Sequence, residues 1–199
     1  MTTICRVYDS YAQARAAVDA VQSAGVPASD VSIVANKYVS ADHADVTDVS
    51  DTAKGAGTGA GIGGALGGGA GLLAGLGLLA IPGLGPVVAA GWLAATAVGA
   101  AAGAATGGIV GALVEAGVSR DDAAVYSESV RRGGTMVTVR ARDEDAGRIA
   151  TLLDSSRPID PRVRGDEYRK TGWQTFDEKA PPYRPSQAEI DRMRANWPG

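Results

Sequence analysis

Residue types that build catalytic and metal sites are scarce in this chain. Its 199 residues include one cysteine, Cys5, and one histidine, His43. A lone cysteine excludes a disulfide within the chain, and no cysteine and histidine cluster has zinc-binding spacing. Cys5 falls in a predicted strand, so we interpret it as a small buried hydrophobic residue. We expect no metal and no cofactor, and we interpret the Asp-rich stretch around His43 as a solvated connector.

Clustered basic charge is also lacking. The net charge is −3, and the sequence pI is about 5.2. Nucleic-acid binding needs clustered Lys and Arg, so we expect no nucleic-acid partner. Residues 1–6 lack the basic stretch followed by an apolar one that marks a signal peptide, so we expect none. Between Lys54 and Glu115 the chain has no charged residue at all, which sets this region apart from its flanks.

The flank before the uncharged region has a β-α-β pattern. Residues 2–8 and 31–35 are rich in β-forming side chains and favour strands. Between them, Ser10 and Gln13 form a capping box that begins a helix, and Gly25 is typical of a helix end. An apolar stripe at helical spacing supports the helix; it consists of Ala14, Ala17, Val18 and Val21.

The flank after the uncharged region repeats the pattern. A linking helix is predicted from Ser119 to Arg132, followed by a strand over residues 135–140. Asp143 is predicted to cap a helix with the apolar stripe Ala146, Ile149, Leu152 and Leu153. Residues 157–163 favour a short final strand, which their prolines would confine to a sheet edge. Two such halves predict an α+β fold, a split ferredoxin-like βαβ…βαβ domain.

This domain offers no catalytic constellation in the sequence. Asp9, Asp143 and Asp145 are interpreted as caps or solvated acids. We therefore predict a protein that is not an enzyme, and we identify no small-molecule substrate. A small-ligand-binding ferredoxin-like domain is kept as an alternative function.

The uncharged region predicts a long helical hairpin inserted into the domain. Residues 55–81 and 87–115 would be the helices, and residues 81–86, with two prolines and two glycines, the turn. Glycine recurs at every fourth position in each segment, which leaves a groove along one helix ridge. These predicted self-association residues are Gly55, Gly59, Gly63, Gly67, Gly71, Gly75, Gly99, Gly103, Gly107 and Gly111.

So much glycine destabilises a helix in water. Twelve glycines lie between Gly55 and Gly77, and at about 1 kcal/mol each they cost roughly 12 kcal/mol relative to alanine. Lipid or close packing against other helices could offset this cost, whereas a flexible linker is the alternative. Residues 59–64 also match GxGxxG, but they follow no buried strand and precede no acid at the required distance, so we reject a dinucleotide site.

Two environments for the hairpin stay open. The half near the turn is apolar and carries Trp92, which favours a membrane. The half from Gly55 to Gly71 has only Ile62 and Leu66 as large apolar residues, and the flanks lack basic clusters. We expect a homo-oligomer at the cytoplasmic side of a membrane, with lipid as a further partner. A soluble cytoplasmic assembly, with hairpins buried between subunits, is the alternative.

The C-terminal tail is charged and rich in proline and aromatic residues. A capping box at residues 186–189 predicts a short terminal helix. We expect the tail to wrap onto its own domain or onto a neighbouring subunit, with a disordered tail as the alternative. The candidate subunit anchors are Trp173, Phe176, Tyr183, Ile190, Met193 and Trp197.

The chain thus divides into six regions. They are the first ferredoxin-like half (1–36), a polar connector (37–54), the glycine-zipper hairpin (55–115), the linking helix (116–134), the second ferredoxin-like half (135–163) and the tail (164–199).

The chain resembles bacterial general stress proteins and low-temperature-induced proteins. The resemblance rests on residues 7–9, 25–26 and 31–35, on the turn at 80–86, and on Tyr126 with the Arg-Arg-Gly-Gly segment that ends at Gly134. It covers roughly residues 3–175. The resemblance implies stress-linked expression and a structural role without catalysis, and it supplies no ligand.

Overall fold

The computed structural model describes residues 1–36, 77–81, 84–93 and 108–180. Its strands are β1 (Thr2–Tyr8), β2 (Val31–Asn36), β3 (Gly77–Ile81), β4 (Gly85–Ala90) and β5 (Thr135–Ala141). Its α-helices are α1 (Tyr11–Ser23), α2 (Gly108–Glu115), α3 (Arg120–Arg131), α4 (Ala146–Asp154) and α5 (Pro161–Lys170), and a 3-10 turn spans Ala28–Asp30. This is an α+β fold, as the sequence predicts.

The strands form one antiparallel sheet in the order β1-β5-β2-β4-β3. β5 lies between the two strands of the first β-α-β unit; Met136 pairs with Val7 of β1 and with Val34 of β2. The hairpin of β3 and β4 extends the sheet beyond β2. The neighbouring strands β1, β5 and β2 therefore need both flanks of the chain, because β5, which lies between the other two, comes from the second flank.

The first β-α-β unit forms where its local signals place it. Ser10 is the N-cap of α1: its hydroxyl accepts a hydrogen bond from the Gln13 amide at 3.3 Å and donates one to the Gln13 side chain at 3.1 Å. Gly25 follows the helix with φ +92°, a conformation that favours glycine. The predicted apolar stripe of α1 is buried in full. Ser119 likewise caps α3, which confirms the predicted helix start.

Both faces of the sheet are covered. α1 and α4 pack on one face, around a core that includes Tyr8, Ile33 and Val137. α2 and α3 contribute to a second core on the other face, together with Val34 and Met136. Every residue of β2 is buried. The arrangement has three layers, so the two-layer ferredoxin-like sandwich is not confirmed.

The predicted final strand over residues 157–163 is wrong. The Ile159 amide donates one hydrogen bond to the Val7 carbonyl oxygen at 2.8 Å, beside β1. The chain then enters α5, because Asp160 accepts hydrogen bonds from the amides of Arg162 and Val163 at 2.8 and 3.3 Å. Pro161 fits the first position of a helix, where its missing N–H costs nothing. Asp followed by Pro is therefore a helix start here.

The predicted helical hairpin is wrong around its turn. Residues 77–81 and 85–90 are strands that join the sheet, whereas helices were expected. A short apolar run bounded by glycine and proline fits a buried strand as well as a buried helix, and only pairing with β2 distinguishes them. Residues 108–115 are helical, as expected. The other parts of the predicted hairpin, residues 55–76 and 94–107, lie outside the described residues.

Candidate functional site

The predicted self-association residues fall mostly outside the described residues. Of the ten ladder glycines, the structure places Gly111, which lies in α2. Asn36 and Gly77 are the described residues on either side of residues 37–76, which hold the polar connector and the first glycine-rich segment. Leu93 and Gly108 are the described residues on either side of residues 94–107, which hold much of the second segment. We call these four residues the roots, and their surroundings form the candidate functional site.

Asn36, which precedes the polar connector and the first glycine-rich segment, lies at a tightly held point. The Asn36 side chain is 2% exposed. Its amide nitrogen donates a hydrogen bond to the backbone carbonyl of Arg131, at the end of α3, at 2.9 Å. Since β2 and β3 both run antiparallel to β4, they are parallel to each other. Ala89 of β4 pairs with both Val34 and Gly77, so Gly77 lies level with Val34, two residues from Asn36 along the strand direction.

The second segment begins just after a close backbone approach at Gly91. A Cβ on Gly91 would lie 2.2 Å from the Val31 carbonyl oxygen and 2.7 Å from the Ser32 Cα atom. Its φ of +93° is also a conformation that disfavours other residues. Glycine is thus required where β4 ends against β2. The Arg140 guanidinium stacks over the ring of the next residue, Trp92, with its Cζ atom 4.9 Å from the ring centroid.

The second segment returns at Gly108, where the tail contacts α2. Gly108 has φ +41°, and a Cβ there would lie 2.9 Å from a carboxylate oxygen of Glu178. Phe176 is 8% exposed and belongs to the same apolar cluster as Leu93 and Ile109. We call residues 171–180 the strap. Glu178 of the strap lies at Gly108, and Phe176 of the strap is buried in the second core to which Leu93 and Ile109 also belong.

Two predicted anchors therefore lie on their own domain. Phe176 is buried in the second core, and Trp173 packs against that core and meets the Tyr168 ring edge to face at 5.7 Å. The expectation that the tail wraps onto its own domain holds for these two residues. Tyr183, Ile190, Met193 and Trp197 lie outside the described residues.

A buried carboxylate near Asn36, that of Glu128, was not predicted from the sequence. Glu128 is 1% exposed, and its oxygens accept hydrogen bonds from Arg131 at 2.7 and 2.9 Å and from Arg132 at 2.6 Å. The Arg132 guanidinium also stacks 4.4 Å from the Tyr168 ring centroid. Glutamate followed by arginine three and four residues later is a helix-surface pairing signal that could have revealed this cluster. It fixes the end of α3, against which Asn36 is held.

The acids singled out in the sequence hold ion pairs at the surface. Asp9 pairs with Arg164 at 2.8 Å. The prediction that Asp143 caps α4 is wrong, because its side chain binds the N-terminal ammonium and the Thr2 hydroxyl instead. These hydrogen bonds hold its pKa below the ordinary value. Asp145 occupies the N-cap position of α4 and pairs with Arg142 and Arg148, which lowers its pKa too.

The thiol of Cys5 is poorly suited to act as a nucleophile. Cys5 is 4% exposed, and burial raises its pKa to about 12. A thiol reacts as its thiolate, so Cys5 is protonated and unreactive at neutral pH. This confirms its interpretation as a buried residue.

The described part of the chain has one open cleft to consider and no metal cluster. An open cleft of about 450 Å³ is bordered by Arg6, Tyr126 and Asp160. Within the described ranges, no group of histidine, cysteine and acidic residues could hold a metal ion, and no helix there combines the length and apolarity needed to cross a bilayer. His43 lies outside these ranges.

A known protein family matches the first flank and part of the uncharged region. Residues 3–82 match the heat-induced stress protein YflT domain. The match confirms the resemblance to bacterial general stress proteins, and the YflT family is not known as enzymatic. No curated protein and no solved structure gives a significant match.

The YflT match covers less than half of the chain and contains β1, α1, β2 and β3. β4 and β5 lie beyond it. Since β5 separates β1 from β2, the sheet of this protein is completed by residues that follow the YflT match.

Proposed function

We propose that this protein is a non-catalytic, stress-associated structural protein that assembles with copies of itself by close packing of its glycine-rich segments. The YflT match supports the stress-associated role. The regular spacing of glycine carries the assembly proposal: six glycines from Gly55 to Gly75 recur at every fourth residue. On a helix this spacing creates a groove in which a second backbone can lie.

The orientation of α2 supports the proposal for the second segment. Ile109, Ala112 and Leu113 are buried in the second core. Gly111 is only half-buried, and at 100° per residue it projects away from the helix face that these three define. Within α2, Gly111 therefore lies on the side of the helix away from the second core.

The β-hairpin changes the form of the proposal. Because β3 and β4 separate the two glycine ladders, the packing involves two segments and not one continuous helical hairpin. The strands also take up residues 77–81 and 85–90, which belong to the apolar half near the turn that favoured a membrane. We therefore put packing between copies of the chain first. Membrane association at the cytoplasmic side is the second candidate, favoured by the lack of charge from residue 55 to 114.

A glycine substitution tests the assembly. Gly67→Leu places a large side chain in the first ladder, and Gly103→Leu does so in the second. We expect either variant to reduce the particle mass measured by light scattering after size exclusion. Gly147→Leu is the matched control, since Gly147 lies in α4 with no atom within 4 Å of a Cβ there. An unchanged mass in both ladder variants, or a monomeric wild-type protein, would contradict the proposal.

Fractionation separates the two candidates. If copies pack against each other without lipid, the wild-type protein stays in the supernatant after ultracentrifugation without detergent, as a discrete oligomer. If the segments bind lipid, the protein is recovered with the membrane pellet and is released only by detergent. Washing the pellet with high salt distinguishes apolar association from electrostatic attachment.

A further inference from the structure

The open cleft beside β1 is lined by several elements of the fold. The Ile159 amide donates its hydrogen bond to the Val7 carbonyl oxygen, which holds the segment after α4 against the strand. Asp160 then begins α5, and α3 adds Asp122 and Tyr126 to the lining. None of the lining residues is adjacent in sequence to a stretch outside the described ranges. The volume of about 450 Å³ lies within the range of small-molecule sites.

One charged pair in the lining of the cleft is already satisfied by the protein. The Nε and Nη2 atoms of Arg6 donate hydrogen bonds to the Asp154 carboxylate at 2.6 and 3.3 Å. Its Nη1 atom donates to the Cys5 carbonyl oxygen at 2.9 Å. Since these two side chains neutralise each other, they shape the wall of the cleft and leave binding to the other polar groups.

Three other side-chain groups of the lining have no hydrogen-bond or ion-pair partner within the described part of the chain. They are the Asp122 carboxylate, the Tyr126 hydroxyl and the Arg162 guanidinium. Tyr126 is only 6% exposed, and buried hydroxyls in proteins are normally hydrogen-bonded. Burial is the main cause of its raised pKa, so the phenol is protonated at neutral pH and can donate. This hydroxyl, almost fully buried and unpartnered at the cleft, indicates a ligand.

We propose that the cleft binds a small zwitterion, with the ligand carboxylate at Arg162 and Tyr126 and the ligand ammonium at Asp122. The unpartnered groups are one cation, one anion and one hydroxyl, so a ligand with one charge of each sign satisfies all three. A simple anion would leave Asp122 unmatched, and a simple cation would leave Arg162 unmatched. Free amino acids and dipeptides carry this pair of charges and are small enough for the volume of the cleft.

This binding is separate from the packing of the glycine-rich segments. The cleft is lined from β1, α3, α5 and the segment before α5, and it contains no residue of either glycine ladder. The two proposals therefore fail independently.

Titration calorimetry on the full chain near neutral pH tests the charge requirement. The probe is glycylglycine, which carries both charges. N-acetylglycine carries the carboxylate alone, and glycinamide carries the ammonium alone. We expect glycylglycine to bind about tenfold more tightly than either analogue, since each analogue loses a charge-assisted hydrogen bond. No binding of glycylglycine at millimolar concentration, or equally tight binding of an analogue, overturns the proposal.

Three substitutions assign the two charges of the ligand. Arg162→Gln should weaken glycylglycine and N-acetylglycine about tenfold and leave glycinamide unchanged, and Tyr126→Phe, which removes only the hydroxyl, should act in the same direction. Asp122→Asn should instead weaken glycylglycine and glycinamide and leave N-acetylglycine unchanged. Arg169→Gln is the matched control, because Arg169 lies in α5 outside the cleft lining and pairs with Asp166. Equal weakening of all three probes in Arg162→Gln and Asp122→Asn, or an equal effect of Arg169→Gln, overturns the proposal; unchanged circular dichroism spectra check folding.

Discussion

Gly91 lies so close to Val31 that a Cβ on the glycine would be 2.2 Å from the valine carbonyl oxygen. This approach brings the end of β4 against the start of β2. It also fixes where the chain leaves the sheet for the second glycine-rich segment.

Gly91→Ala should therefore destabilise the protein by about 3 kcal/mol, from backbone strain together with a clash against main-chain atoms. Gly117→Ala is a matched control, since Gly117 has nearly the same φ, +95°, but no atom within 4 Å of its Cβ position. It should cost about 1 kcal/mol from strain alone. Urea unfolding gives both free energies, and equal losses would show that the close approach is unimportant.

Glu128→Gln should destabilise the end of α3. The change leaves the guanidiniums of Arg131 and Arg132 without their buried counter-charge, at a cost of about 3 kcal/mol, because removing one partner of a buried ion pair is expensive. Glu144→Gln is the control: Glu144 and its partner Arg142 are largely exposed, so no measurable change is expected. Chemical denaturation measures both variants, and a Glu128→Gln protein as stable as the control would disprove a stabilising role.

Cys5 should make stability depend on alkaline pH. The folded protein holds the thiol proton until about pH 12, whereas the unfolded chain loses it near its ordinary pKa of 9.0. The folded state therefore binds more protons in this window, and stability is lost as pH rises from about 9 toward 12. One proton corresponds to at most about 1.4 kcal/mol per pH unit.

The pH effect can be isolated with Cys5→Ala. Between pH 9 and 10, the free energy of unfolding of the wild type should fall more steeply than that of the variant. At pH 8 the folded wild type should also resist a thiol reagent until denaturant is added. Parallel pH curves, or rapid labelling of the folded protein, would refute the assignment.

Phe176→Ala should release the strap. Phe176 is 8% exposed in the second core, so truncation should cost about 3 kcal/mol of local stability. Faster cleavage after Lys179 by trypsin would report the release. Thr175→Ala, at an exposed neighbouring position, should leave the cleavage rate unchanged. If both variants are cleaved at the wild-type rate, the strap does not depend on Phe176.

Local signals predicted much of the first β-α-β unit. The capping box at Ser10 and the glycine at Gly25 bounded α1 correctly, because caps act through hydrogen bonds within a few residues. Ser119 predicted the start of α3 for the same reason. Asp143 shows the limit of such reasoning: its side chain is taken by the N-terminus, a partner far away in sequence.

The candidate site was predicted less fully. The glycine spacing was visible in the sequence, but Gly91 carried no signal, since its requirement comes from a strand sixty residues earlier in the chain. Phe176 was recognised as an anchor, whereas its place on the chain's own core follows from packing.

The sequence by itself determined the caps, the apolar stripes, the glycine spacing and the resemblance to stress proteins, because each depends on neighbouring residues. The tertiary structure decided that residues 77–81 and 85–90 are strands, that β5 lies between β1 and β2, and that Asp160 and Pro161 begin a helix. Those choices depend on pairing and burial between distant segments. An apolar run flanked by glycine and proline satisfies its backbone equally well as helix or strand until a partner strand such as β2 is present.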